Sequence, residues 1–157
     1  MNLLNKALVK MFMLAGCRSR ICGRDRQVFI LKKCVVKIPV MSNGWFEFVR
    51  GYYSNLKEMD SIRGYEGNFP EHLPEILGSY LFGLVVVYKK YREIMDGKDD
   101  NETGDFAEYT RFLGKLDDIR RNEKNSEKYI WTQDTKIFNF GWDKYGRVVV
   151  IDLGTPY

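Results

Sequence analysis

Apolar positions along this chain recur first in twos, then in threes and fours, and then repeat that cycle. Ala7–Leu14, ALVKMFML, fits a strand or a short helix equally well, and GCRSRICG from Gly16 to Gly23 reads as a polar loop bounded by two glycines. From Gln27 to Val40, two β-branched runs flank Lys32-Lys33, which predicts a hairpin. After Asn43-Gly44, Trp45, Val49, Tyr52, Leu56 and Met59 fall three or four residues apart. They predict an amphipathic helix with this stripe as its apolar face, capped by Ser42 or Asn43. GYEGNFPEHLP is a loop by composition, and ILGSYLFGLVVVYKKY reads as two strands, the second apolar enough for burial on both faces. MDGKDDNETGD is a polar connection, and Phe106, Tyr109, Leu113 and Leu116 mark a second helix ending near Asn122. KIFNF and RVVVI close the chain as strands around WDKYG, whose Asp and Gly suit a turn. Strands, helix, strands, helix, hairpin: this order predicts an α+β fold with a largely antiparallel sheet.

Composition changes the picture in two places. At 157 residues with 45% hydrophobic content, the chain is one domain with enough apolar mass for a core. No internal repeat is present, and no stretch is long enough to span a membrane. The net charge of +4 conceals an asymmetry: residues 1–40 carry nine Lys or Arg against one acid, Asp25, and the remainder is net acidic. A basic segment of this kind suits nucleic acid, anionic lipid or a bound polyphosphate, and equally a solvated surface. Arg18, Arg20, Arg24 and Arg26 are read as such a surface. Cys17, Cys22 and Cys34 match no zinc pattern, and His72 is the one histidine. Free thiols in a reducing cytoplasm account for them. The alternative is a lipoprotein lipidated at Cys17, since LAGC has the form of a cleavage site, although the apolar run before it is short for a signal peptide.

Phosphoryl transfer requires a cation on the α/β-phosphates, oxygen ligands for Mg²⁺, and an Asp that orients or deprotonates the attacking hydroxyl. WTQDTKIFNFGWDKYGRVVVIDLG, from Trp131 to Gly154, can supply the last two. Across the predicted hairpin, Asn139 and Asp152 present hard oxygen ligands suited to Mg²⁺. Asp134 and Lys136 sit in the loop entering it, the Asp toward the transferred phosphate and the Lys neutralising its charge. Each residue also has an ordinary reading: Lys37 as an edge-strand lysine, Asp134 as a cap or turn former, Asp152 as a turn starter. Asn139 on an aromatic strand is harder to explain away, because a buried amide needs partners.

The D-x-x-x-x-N spacing of Asp134 and Asn139, followed thirteen residues later by Asp152-Leu-Gly, resembles the catalytic and metal-binding loops of protein kinases. CVVKIP resembles that family's V-A-I-K strand and makes Lys37 the phosphate-binding lysine. The resemblance extends to the order of elements and covers roughly residues 12–157. It implies a kinase-like fold: an antiparallel N-lobe-like sheet with one helix over 12–88, then a truncated C-lobe-like part over 92–157. That part would be a helix and the catalytic hairpin. ATP and Mg²⁺ are the implied cofactors.

The pattern departs from the family in four ways. Only Gly16 and Gly23 stand where the phosphate loop has three close glycines. The glutamate partner of Lys37 is Glu47 or Glu58, the family spacing being nearer the second, unless the helical position that best faces Lys37 is instead Gly51. TQD replaces H-R-D, removing the usual histidine and arginine. The sequence stops at Tyr157, without an activation segment, an A-P-E motif or C-terminal helices, and resembles the ATP-binding core of a compact bacterial or phage kinase.

The resemblance implies phosphoryl transfer to a Ser, Thr or Tyr hydroxyl of a protein. The alternative is a pseudokinase that regulates or inhibits a partner protein. A small-molecule kinase on the same fold is not separable from these by sequence, and a nucleic-acid-binding or membrane-surface role rests on charge and aromatics alone. Tyrosines and apolar residues that an absent lobe would cover suggest self-association, a homodimer, or a partner.

Overall fold

In the computed structural model, which describes residues 2–41, 44–64, 72–94, 103–122 and 136–151, the chain is α+β with antiparallel sheets and three helices. It divides into two compact units, Met1–Glu66 with Glu75–Lys90, and Gly67–Pro74 with Tyr91–Tyr157.

The first unit is built on a five-stranded sheet in the order β1-β2-β3-β5-β4, formed by Ser19–Cys22, Arg26–Ile30, Cys34–Pro39, Ile76–Tyr80 (β4) and Val85–Lys89 (β5). The Lys32-Lys33 hairpin forms as the pattern predicts, with Val28 opposite Lys37. Strands alternate their side chains between faces, so two helices are needed to cover this sheet. The ambiguous segment at the start is helix α1, Asn2–Leu14. Its Leu8, Val9 and Phe12 pack on Cys17, Phe29, Val36 and Ile38, with Phe12 stacked on Phe29 at 4.3 Å. The unit therefore has two helices rather than the one expected. Cys17 is 8% exposed beneath α1, so the segment that cleavage before Cys17 would remove instead supplies part of the core.

Half of the polar stretch expected as a loop over Gly16–Gly23 is β1. An edge strand pairs on one side only and tolerates a solvated one, and Arg20 meets this by binding Gln27 Oε1 at 2.6 and 3.0 Å.

Helix α2, Trp45–Arg63, covers the opposite face, but only in part with the stripe that its apolar spacing marks: Met59 is buried, and Tyr52 and Leu56 are half-buried. Trp45 is 71% and Val49 50% exposed, while the inward side carries Gly51, Ser54, Asn55, Glu58, Met59 and Ile62. The polar members of that face have partners. Asn55 donates to the carbonyl of Gly83 at 3.1 Å, and Ser54 to that of Arg50 at 2.9 Å. Gly44, with φ of 136°, stands at the N-cap position and has no side chain to cap the helix, and the expected caps Ser42 and Asn43 lie outside the described residues.

In the second unit, β6 (Arg92–Glu93), β7 (Phe140–Trp142) and β8 (Val148–Val150) form a three-stranded sheet in that order. Helix α3, Thr103–Asn122, buries Phe112, Leu116 and Ile119, with Phe112 against Phe140 at 5.2 Å between ring centres; the expected Leu113 faces outward. Trp142 donates its indole N–H to Glu108 at 2.7 Å. The loop residue His72 accompanies β8: its carbonyl accepts from Val150 N–H at 2.8 Å, and its Nδ1 lies 2.8 Å from the Val148 carbonyl.

The β7–β8 turn is held by Asp143. Its Oδ1 accepts from the amides of Tyr145 and Arg147, both at 2.8 Å, and Oδ2 from the Arg147 guanidinium at 2.7 Å, while Gly146 takes the positive φ of 75°. Burial pushes the carboxyl pKa up, but these bonds outweigh it and hold Asp143 below the ordinary carboxylate value. A depressed folded-state pKa contributes stability above the unfolded value, about 3.9, that is lost as pH falls through the folded one. Thermal melts from neutral pH down to about pH 3 should therefore show wild type losing more stability than Asp143→Asn. Parallel pH profiles would show that the bonds count for little.

Candidate functional site

Lys37 occupies the middle strand of the first unit, between Val28 on β2 and Val86 on β5. Period-two alternation sends its neighbours Val36 and Ile38 into the core under α1 and Lys37 toward α2. A lysine placed there needs a carboxylate, because an unpaired charge is costly to bury. α2 provides Glu58, two turns beyond the point where Gly51 brings the helix onto the sheet. Lys37 Nζ donates to Glu58 Oε1 at 2.7 Å, both residues are 4% exposed, and the ammonium lies over the Tyr88 ring, 4.9 Å from its centre. Lys37 is thus a buried, paired lysine on a central strand rather than an edge-strand lysine.

Of the two candidate glutamates, Glu58 makes this bond. Glu47 lies in the first turn of α2, where a Cβ on Gly44 would stand 2.9 Å from its Oε2, and Gly51 packs on the backbone of Asp25 and Pro39.

A third charged residue joins the pair. Arg26 Nη1 donates to the other oxygen, Glu58 Oε2, at 2.5 Å, with the Arg26 side chain 14% exposed. One carboxylate is therefore shared by two cations in a largely desolvated place, where electrostatic interactions are strengthened. Arg26 is thus not the solvated surface that its basic surroundings in the sequence suggest. A signal was present: a turn centred on Lys32-Lys33 sets residue 28 opposite 37, and alternation then puts residue 26 on the Lys37 face.

Gly16 and Gly23 do not form one loop. Gly16, with φ of 83°, follows the end of α1, and Gly23 follows the far end of β1, where its N–H donates to the Arg26 carbonyl at 2.9 Å. The β1–β2 connection is the short Gly23-Arg24-Asp25, and Arg50 on α2 ties it down through Asp25 at 2.6 Å.

In the second unit, the Asn139 side of the hairpin differs from the expected strand. Ile137–Asn139 is a 3-10 turn leading into β7, with Asn139 N–H donating to the Lys136 carbonyl at 2.9 Å. Asn139 is buried, and its carbonyl accepts from Ile151 N–H at 2.7 Å. The register sets Phe140 opposite Val150, so Ile151 stands across from Asn139 and Asp152 is the next residue in sequence. Lys136 is exposed at the start of the turn. Asp134 and Asp152 lie outside the described residues. Among the described residues, no group of three or more His, Cys, Asp or Glu is placed to hold a metal ion. Asn139 contributes one amide oxygen, a hard donor of the kind Mg²⁺ takes.

No protein-family model matches this sequence, and no curated protein does. Among solved structures, the 2.2 Å crystal structure of WbdD is similar at a TM-score of 0.51 and 18% identity, over 89% of this chain and 34% of that one. What the two share is the fold. A co-crystal structure of WbdD and the kinase inhibitor LY294002 matches at a TM-score of 0.48 and 18% identity, over 87% of this chain and 32% of that one. The chain spans about a third of WbdD's length. At this identity the likeness concerns fold alone. No helix among the described residues is long and apolar enough to cross a membrane.

Proposed function

We propose that this chain is the nucleotide- and metal-binding core of a kinase-like phosphotransferase acting on a protein Ser, Thr or Tyr hydroxyl. The observation that carries the reading is the buried Lys37–Glu58 pair on a central strand. Glu58 fixes the direction of the Lys37 stem, so the ammonium meets phosphate oxygens without first losing rotamer freedom. Arg26 shares that carboxylate and adds positive charge beside it, an addition suited to a chain whose β1–β2 turn has few glycines. When bound, Mg²⁺-ATP supplies the transferable phosphoryl group. Asn139 and Asp152 would hold the metal, Lys136 would neutralise charge on the transferred group, and Asp134 would accept the hydroxyl proton.

Thermal unfolding with and without Mg²⁺-ATP tests the site. A ligand that binds only the folded chain stabilises it by RT ln(1 + [L]/Kd), about 1.4 kcal/mol at roughly tenfold excess over Kd, or a Tm rise of about 3–6 °C. The rise should appear in wild type and vanish in Lys37→Met and in Asp152→Ala. If wild type shows no rise, the nucleotide site is refuted. Transfer of labelled phosphate to protein then separates catalysis from binding, and Asp134→Ala should abolish transfer while leaving the thermal shift intact.

The short β1–β2 turn, pinned to α2 through Arg50 and Asp25, favours a second reading. A phosphate loop grips through free backbone N–H groups, and a turn tied to a helix offers few of them. The chain would then be a pseudokinase that regulates a partner protein. That reading predicts no phosphate transfer to protein, even when nucleotide binds.

A further inference from the structure

The basic segment at the start of the chain takes no part in the proposed site beyond Arg26 and Lys37, and the first unit gives its other cations a definite placement. Helix α1 buries one side, Leu8, Val9 and Phe12, against the sheet. The opposite side is a continuous exposed face at helical spacing that bears Leu3, Met11, Met13 and Leu14 together with Lys6 and Lys10. Leu14 is 81% exposed. Apolar side chains of this size are usually turned inward, and a face that combines them with lysines is that of a helix lying in a membrane interface.

Where α1 ends, it opens onto a concavity of about 460 Å³ lined by Gly16, Arg18, Leu31, Lys32, Lys33 and Cys34. Arg18, Lys32 and Lys33 are exposed, and among the described residues no ion pair engages these three, Lys6 or Lys10. No acidic residue occurs before Asp25. Cations with no competing carboxylate remain available to an anionic surface, and each contributes favourably near lipid headgroups. The apolar members of the face are aliphatic, whereas surfaces that hold single-stranded nucleic acid present aromatic rings for stacking.

We infer that this face is a peripheral docking surface for an anionic phospholipid membrane. The exposed side of α1 enters the headgroup region, and Arg18, Lys32 and Lys33 engage lipid phosphates at the concavity. The surface lies on the opposite side of the sheet from the Lys37–Glu58 pair, so docking there leaves that pair uncovered.

Co-sedimentation of the full chain with vesicles tests this, comparing phosphatidylcholine containing phosphatidylglycerol with phosphatidylcholine alone. Binding should require the anionic lipid and weaken as salt rises. Lys32→Glu combined with Lys33→Glu changes two exposed turn residues and should weaken binding by tenfold or more, taking each lost cation at about fivefold. Leu14→Asp should weaken it comparably without altering the fold, as circular dichroism would show. Three results would overturn the proposal: no vesicle binding, equal binding to neutral vesicles, or unchanged affinity in both variants. Tighter binding to single-stranded DNA than to the anionic vesicles would also overturn it, since the face would then serve nucleic acid.

Discussion

Replacing Glu58 with alanine should destabilise the protein far more than replacing Lys37 with methionine. Glu58 joins two cations, Lys37 at 2.7 Å and Arg26 at 2.5 Å, and its side chain is 2% exposed. Removing it leaves a buried ammonium and a largely buried guanidinium without the carboxylate they share. Breaking a buried ion pair from one side costs about 3–5 kcal/mol, chiefly because an uncompensated charge stays behind. In a domain of this size such a loss lowers Tm by roughly 6–20 °C. Lys37→Met leaves Glu58 paired with Arg26, and methionine replaces the buried lysine stem with an apolar chain that packs in its place, so we expect a loss of about 1–2 kcal/mol. Urea unfolding of both single variants and of the double variant measures the asymmetry, and the cycle isolates the coupling between the two residues. Equal losses would show that Arg26 does not support the carboxylate. The comparison also guards the nucleotide experiment: a Lys37→Met chain that remains folded but shows no response to Mg²⁺-ATP has lost a ligand contact rather than its structure.

Gly51→Ala should also be destabilising, although alanine is the better helix former. A methyl at this position would meet the Asp25 carbonyl oxygen at 2.1 Å and the Pro39 Cα at 3.1 Å. Both obstacles are backbone, so no side chain can swing aside. The Asp25 carbonyl is also fixed, accepting from Val40 N–H at 2.8 Å. The helix must therefore lift from the sheet, and overpacking of this kind costs about 1–3 kcal/mol or more, against about 1 kcal/mol gained in helix propensity. Because α2 carries Glu58, the lift should also lengthen the Lys37–Glu58 bond and weaken any nucleotide-dependent stabilisation. A Gly51→Ala chain as stable as wild type, with an unchanged thermal shift, would show that the close approach is not needed.

The parts of this protein readable from its sequence are those whose energetics are local. The Lys32-Lys33 hairpin, the β4 and β5 strands, α3 and the Asp143 turn each follow from residues only a few positions apart. Their cause is alternation, turn chemistry or a side chain bonding its own loop. Lys37 was legible for the same reason, standing on a β-branched strand in a recognisable pattern. The inward face of α2 was not legible, because its apolar spacing points to Trp45 and Val49, while the sheet requires Gly51 for close approach and Glu58 for charge. Nor was α1, whose helical state is favoured by Phe29, Val36 and Ile38 lying ready to cover Phe12. The triad of Arg26, Lys37 and Glu58 joins positions on two strands and a helix, with Glu58 twenty-one residues beyond Lys37. No local propensity encodes such a contact; it exists because strand pairing and helix docking bring three desolvated charges to one point, where the two cations depend on the carboxylate they share.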